Sequence, residues 1–200
     1  MSKELIFALI STLIYLIGAV PFWQDVLRWR TTPHLLTYAL WWILVAFNVF
    51  VLVKNREFYA LIPSWLMFVS LSIATIYAIF VWKKIVINWF DWICGTLGIL
   101  LILYWIYSRN ILNTVLLTLI IDLIAFLPTF KKWYLAPWTE SILIYAMSAV
   151  GQVATLLSLS GFQNIENMLF WWYLFFANLT FFFMVALRRY HLRWWKSIFE

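Results

Sequence analysis

Hydrophobic residues run along the chain in seven continuous stretches, separated by short segments that contain charged residues or proline. The stretches are Leu5–Gln24, Leu35–Val53, Phe58–Trp82, Ile85–Tyr107, Ile111–Phe130, Ser141–Phe162 and Asn167–Leu187. Each has about the twenty residues that a helix needs to cross a bilayer. Strands of membrane β-barrels instead alternate apolar and polar residues over roughly ten positions. The pattern therefore predicts an all-α, polytopic membrane protein with seven transmembrane helices.

The composition supports a lipid environment and excludes a soluble fold. Of 200 residues, 66% are hydrophobic and only 11% are charged, whereas about a quarter of the residues of a soluble domain are charged. A soluble domain of this length could not hide so much apolar surface from water. The lipid bilayer is therefore the first expected partner.

Basic residues predict the orientation in a cell (inner) membrane. The formal net charge is +6, but Lys and Arg lie at the ends of the stretches, which favours membrane anchoring over nucleic-acid binding. One side carries ten of them: Arg28, Arg30, Lys83, Lys84, Lys131, Lys132, Arg188, Arg189, Arg193 and Lys196. The other side carries four: Lys3, Lys54, Arg56 and Arg109. Because cytoplasmic loops are enriched in positive charge, we expect the N-terminus outside and the C-terminus in the cytoplasm.

An internal repeat is visible at two prolines. Pro21 and Pro128 close the first and fifth stretches, 107 positions apart, and a basic loop follows each. The third and seventh stretches also end alike, in Lys83-Lys84 and Arg188-Arg189. These matches predict a 3+1+3 arrangement: a first three-helix repeat over 1–84, a linker helix over 85–109, and a second repeat with a basic tail over 110–200. A single proline in a membrane helix is often only structural, but two at matching places favour hinges.

The residues around these prolines resemble the PQ-loop motif of the SWEET-like transporter superfamily. The segments are Pro21-Phe22-Trp23-Gln24 and Pro128-Thr129-Phe130, and neither contains a Pro-Gln pair. The chain more closely resembles a group of bacterial seven-helix membrane proteins with no assigned substrate. The shared residues are Asp122, Ala125, Pro128, Thr129, Lys131, Pro137, Glu140 and Ser141. The superfamily resemblance implies parallel triplets of helices and transport by alternating access.

Polar residues within the stretches are the candidate site residues, because polar groups in lipid need a partner or a function. Asp122 lies about two turns before Pro128, where it would either couple transport to a proton or cation, or stabilise the kinked helix by a hydrogen bond. Asn178 lies near the middle of the seventh stretch. The resemblance to SWEET-type proteins implies a substrate-binding role for Asn178 together with a Trp.

Three further residues are candidates for substrate binding. Asn48 and Gln152 face their bundles from the second and sixth stretches, where interhelical hydrogen bonding is the alternative role. Of the neighbouring Trp41 and Trp42, one is expected to line a pocket, and Trp41 is the one assigned to substrate binding. Most other aromatic residues at the ends of stretches are expected to be interfacial anchors. These are Trp23, Trp29, Trp82, Trp89, Trp133, Tyr134, Trp138, Trp171, Trp194 and Trp195.

No enzyme signature is present in the sequence. Cys94 is the only cysteine, and His34 and His191 stand apart from any metal-binding spacing. We therefore predict no catalytic residue, no metal and no cofactor. The predicted function is alternating-access transport of a small polar solute, such as a sugar, an amino acid or a vitamin-like molecule. The alternative is a non-transporting receptor or assembly subunit on the same fold, and both hypotheses allow a homo-oligomer.

Overall fold

The computed structural model describes residues 2–28, 30, 35–80, 89–108, 111–139, 141–160 and 165–199. These residues form seven α-helices and one 3₁₀ turn. The helices are α1 (Lys3–Leu27), α2 (Leu35–Lys54), α3 (Phe58–Phe80), α4 (Trp89–Ser108), α5 (Ile111–Leu135), α6 (Ile142–Leu157) and α7 (Ile165–Phe199). The 3₁₀ turn, Pro137–Thr139, lies between α5 and α6. The prediction of an all-helical chain is confirmed for the part that the structure describes.

Four described segments are long and apolar enough to cross a membrane. They are Lys3–Leu27, Leu35–Lys54, Phe58–Phe80 and Met168–Leu192, while α6 is apolar but shorter. An α-helix satisfies its backbone hydrogen bonds within one segment, which is the requirement that lipid places on a spanning chain. These helices are compatible with the predicted membrane location.

Several helix ends differ from the predicted stretches. Helix α1 continues past Gln24 to Leu27, and α5 continues past Phe130 to Leu135. Helix α6 ends at Leu157, short of the predicted Phe162. Hydropathy marks where apolar residues stop, whereas a helix propagates until a breaking residue, such as Pro137 after α5, interrupts it. Helical backbone therefore extends beyond the apolar stretch at polar ends such as Lys131-Lys132.

The prolines proposed as hinges both lie within helices. Helix α1 is continuous through Pro21, and the helical range of α5 includes position 128. Pro63 is a third proline within a helix, α3, where it is buried. The side chain of Pro128 and the basic pair Lys83-Lys84 lie outside the described residues. The hinge roles of Pro21 and Pro128 stay predictions.

Six of the seven helices pack in a ring. Around it, α1 contacts α3, α3 contacts α2, α2 contacts α5, α5 contacts α7, α7 contacts α6, and α6 returns to α1. Helix α3 also touches α6. Helix α4 packs on α5 and touches α2 from outside this ring.

Small residues and hydroxyl groups bring α1 and α6 close together. The Ser11 hydroxyl donates to the Gly151 carbonyl at 2.8 Å and shares a 2.6 Å hydrogen bond with the Thr155 hydroxyl. Gly18 lies directly against Met147, and Gly151 lies against the ring of Tyr15. Small residues let membrane helices approach closely, so that van der Waals contacts and hydrogen bonds can hold them.

A second hydroxyl cluster joins α2 to α5. The Thr37 hydroxyl donates to the Ala125 carbonyl at 2.9 Å, and the Thr129 hydroxyl donates to Thr37 at 3.0 Å. Both threonines are buried. The contacts α1–α6 and α2–α5 thus share one feature, a hydrogen bond from a hydroxyl group on one helix to a backbone carbonyl on the other.

One predicted interfacial anchor lies in the core instead. Trp171 is 1% exposed and packs with Leu52, Phe170 and Leu174, so its prediction as an anchor is wrong. Trp89, in contrast, is largely exposed. Both tryptophans stand near the start of an apolar stretch, and the interior face of a membrane helix is as apolar as its lipid face. Hydropathy could not distinguish the two.

Candidate functional site

A cavity of about 130 Å³ lies inside the ring of six helices. It is lined by Tyr15, Ala19, Phe22, Tyr38, Trp41, Leu44, Val45, Leu66, Met67, Ser70, Leu71, Asp122, Phe126, Ile144, Tyr145, Ser148, Gln152, Phe170, Leu174 and Asn178. Every helix of the ring contributes at least two of these residues, and α4 contributes none of them. The space therefore belongs to the ring as a whole rather than to one pair of helices.

Four of the five residues predicted to bind or couple a solute line this cavity. They are Trp41, Asp122, Gln152 and Asn178. Asn48 is buried on α2 but does not line the cavity. The structure thus brings four candidates from four different helices to one place and leaves Asn48 within the helix packing. Their roles stay predictions.

Asp122 is the only charged residue among the described residues that line the cavity. It is 4% exposed, and its Oδ2 atom has no hydrogen-bond partner. The Trp41 indole N–H and the Tyr173 hydroxyl lie close enough to this carboxyl group to interact with it. Neither of them is placed to form a regular hydrogen bond. The carboxyl group therefore retains acceptor capacity, and no cationic side chain among the lining residues is available to neutralise it.

The two cavity amides differ in how their polar atoms are used. The Asn178 side-chain N–H donates to the Leu174 carbonyl of its own helix at 2.9 Å. The Gln152 Oε1 atom is buried without a partner. A buried polar atom without a partner costs about 1–3 kcal/mol, and the Gln152 Oε1 and Asp122 Oδ2 atoms are acceptors without a partner among the described residues.

Aromatic rings form much of the remaining wall. Phe22 stacks on Tyr38, Tyr38 meets Trp41 edge-to-face at 5.3 Å, and Trp41 meets Phe126 edge-to-face at 4.8 Å. This row of four rings runs from α1 across α2 to α5. Tyr145 of α6 adds a further ring to the cavity wall. Because these rings contact one another, the shape of this part of the wall depends on their mutual packing.

Lining residues recur along the chain at the spacing of the two prolines. Seven pairs of lining residues stand 107 positions apart: Tyr15 and Asp122, Ala19 and Phe126, Tyr38 and Tyr145, Trp41 and Ser148, Val45 and Gln152, Met67 and Leu174, and Leu71 and Asn178. They account for fourteen of the twenty described lining residues. The pairs connect α1 with α5, α2 with α6, and α3 with α7.

Sequence reasoning missed Tyr15 and Tyr173, which the structure brings to the site. The ring of Tyr15 packs on Gly151 and its hydroxyl lies 3.5 Å from that of Thr155, while Tyr173 interacts with Asp122. The proline spacing could have found Tyr15, because it stands 107 positions before Asp122. Nothing in the sequence distinguishes Tyr173 from the many aromatic residues around it.

Side chains that could bind a metal ion are scattered among the described residues. No group of three or more His, Cys, Asp or Glu side chains comes together among them. The single cysteine, Cys94, is buried on α4, away from the cavity lining. What the arrangement offers is a small space with aromatic walls, one carboxyl group and two amides.

Comparison with known proteins gave no match. No protein-family model matches the chain, and no curated protein sequence or solved structure does so either. The functional conclusion therefore depends on the geometry of the cavity.

Proposed function

We propose that this protein is a membrane carrier for a small solute, which binds in the central cavity and crosses by alternating access. The observation that carries the proposal is that all six helices of the ring line one cavity, whose wall holds unpartnered polar atoms of Trp41, Asp122 and Gln152. Protein interiors rarely leave buried polar atoms unpaired without a functional reason. A solute with complementary groups would pair them.

A 3+1+3 repeat completes the proposal, with α1–α3 and α5–α7 as two parallel triplets and α4 as the linker. Each contact in the ring has a counterpart when α1, α2 and α3 are exchanged for α5, α6 and α7. The contact of α1 with α6, for example, corresponds to that of α5 with α2. The seven lining pairs at one constant spacing support the same exchange.

This arrangement offers a physical route to alternating access. The triplets meet along α1–α6 and α2–α5, where the described hydrogen bonds between helices are made by Ser11, Thr37, Thr129 and Thr155. Hydrogen bonds between membrane helices contribute only about 0.6 kcal/mol on average. Rocking of one triplet against the other, with Pro21 and Pro128 as hinges, can open such a contact on one side while the other stays closed.

Cysteine accessibility tests the proposal without knowledge of the solute. In a variant with Cys94→Ser, the single substitution Ser148→Cys places a thiol in the cavity wall. A membrane-impermeant thiol reagent is applied to right-side-out and inverted vesicles, with sidedness fixed by reporter fusions at both termini. Alternating access predicts labelling from both sides. Val150→Cys, on the exposed outer face of the same helix, is the matched control and should stay unlabelled in lipid.

The outcome separates the carrier from the non-transporting alternative. Labelling of Ser148→Cys from one side only would contradict alternating access and favour a receptor or assembly subunit on the same fold. Labelling from neither side would also contradict it. The same experiment tests the orientation, because the distribution of basic residues predicts the N-terminus outside and the C-terminus in the cytoplasm.

A further inference from the structure

The chemistry of the cavity wall restricts the class of solute. Besides Asp122, the polar side chains that line the space are Ser70, Ser148, Gln152, Asn178 and the tyrosines Tyr15, Tyr38 and Tyr145. Ser70 already accepts a hydrogen bond from the Trp23 indole at 3.3 Å, and Asn178 bonds its own helix. Of the remaining polar groups, which include the Trp41 indole, only Asp122 is charged among the described lining residues, so the wall discriminates chiefly by the charge of the solute.

The volume restricts the solute further. A cavity of about 150 Å³ in another protein holds one benzene molecule, and this cavity measures about 130 Å³. A hexose, with about twice the heavy atoms of benzene, exceeds this space. The space itself therefore fits a molecule, or a part of a molecule, of about benzene's size.

The electrostatics of the wall favour a positive charge. A buried carboxylate without a cationic partner carries a large desolvation cost, and no Lys, Arg or His lines the cavity among the described residues. The four residues of the aromatic row Phe22–Tyr38–Trp41–Phe126 also line the cavity, and aromatic faces attract organic cations. A small inorganic cation is disfavoured, since it needs several oxygen ligands and no carboxylate cluster is present among the described residues.

We infer that the solute is a small organic ammonium ion, held by the carboxylate of Asp122 and by the faces of the aromatic row. The inference rests on the proposed function, because it takes this cavity to be the solute site. The ammonium charge would neutralise Asp122, whose Oδ2 atom lacks a partner. The alkyl groups would contact the rings, as quaternary ammonium ligands do in aromatic cages.

The test compares choline with dimethylbutanol, its neutral isostere in which carbon replaces nitrogen. Binding of each to the full-length protein in lipid nanodiscs is measured by isothermal titration. We expect choline to bind at least about tenfold more tightly than the isostere, a difference of about 1.4 kcal/mol. In Asp122→Asn the ratio of the two affinities should fall but stay above one, because the charge is lost while the aromatic row remains. Glu4→Gln, which removes a carboxylate from the first turn of α1, should retain the full ratio.

Trp41→Leu provides a second variant that keeps Asp122 and removes one ring of the row. It should lower the ratio of the affinity for choline to the affinity for the isostere, while the affinity for the isostere itself stays nearly unchanged. Equal binding of choline and its isostere to the unmodified protein, or an undiminished ratio in Asp122→Asn, would overturn the inference. Absence of choline binding up to millimolar concentration would overturn it as well.

These results can be distinguished from failure of the carrier proposal. If Ser148→Cys is labelled from both sides but choline does not bind, alternating access stands and the ammonium class is wrong. If choline binds and protects Ser148→Cys, but labelling occurs from one side only, the site stands and transport is wrong.

Discussion

Replacement of Gly18 by alanine tests how closely α1 and α6 pack against each other. A Cβ atom at Gly18 would lie 2.7 Å from Met147 Cβ and 3.5 Å from the Ile144 Cα atom. The Met147 Cβ is bonded to the backbone, so rotation of the side chain cannot move it away. The distance is about 0.7 Å short of the 3.4 Å at which ordinary contact begins. Gly18→Ala must therefore push the two helices apart.

The expected cost in stability follows from comparison with Gly95, whose nearest neighbours belong to a flexible side chain. Overpacking of this kind costs about 1–3 kcal/mol, while replacing Gly by Ala within a helix contributes up to about 1 kcal/mol in the other direction. Gly95→Ala is the matched control, because its Cβ would meet only the terminal methyl groups of Leu36, at 3.2 and 3.6 Å. Both variants gain helix propensity, so the difference between them isolates the steric cost. We expect Gly18→Ala to be the less stable by about 1–3 kcal/mol.

The assay is reversible unfolding in mixed micelles of mild detergent and dodecyl sulfate, followed by the fluorescence of the 15 tryptophans. The free energy of unfolding is compared for the two alanine variants in the same micelle series. A difference below about 0.5 kcal/mol would refute the close contact, since overpacking costs more than that. Met147→Gly removes the opposing Cβ, so Gly18→Ala should cost less in the Met147→Gly background than in the unmodified protein.

Two further predictions concern hydrogen bonds between segments that are far apart in the sequence. Thr37→Val removes both hydrogen bonds to α5 and should cost between about 0.6 and 1.7 kcal/mol of unfolding free energy in the same assay. The control Thr12→Val loses only a bond within α1, and equal losses in the two variants would contradict the prediction. Glu57→Gln weakens the acceptor for the Ser160 N–H and hydroxyl, both at 2.8 Å, because hydrogen bonds to a charged group are about twice as strong as neutral ones. Amide hydrogen exchange at Ser160 should accelerate, and an unchanged rate would show that the charge is not required.

The spacing between the two prolines also relates residues of the cavity wall. Pro21 and Pro128 define a spacing of 107 in the sequence, and the same spacing relates lining residues on three pairs of helices. The match between Lys83-Lys84 and Arg188-Arg189 has a different spacing, 105, and its first half lies outside the described residues. Basic residues at a membrane surface are long and flexible, so their positions follow the helix register less closely than those of packed residues.

The candidate site was predicted in part, for a reason that follows from the cost of burying polar groups. Asp122, Gln152 and Asn178 stand out because polar residues are rare within apolar stretches. Asn48 satisfied the same criterion, yet it lies outside the cavity lining. Tyr15, Tyr38 and Tyr145 were not predicted, because tyrosine occurs throughout such helices and its role depends on which neighbours the packing provides.

The helices themselves were determined by the sequence alone. A continuous apolar stretch of about twenty residues can satisfy its backbone hydrogen bonds only within itself, so each stretch indicates a helix without reference to any other. The face that each helix turns inward was decided only by the tertiary structure. Lipid and protein interior are similarly apolar, so hydrophobic periodicity does not mark the inward face. For this reason Trp171 and Trp89 looked alike in the sequence, and the aromatic row beside Asp122 became visible only once the helices were packed.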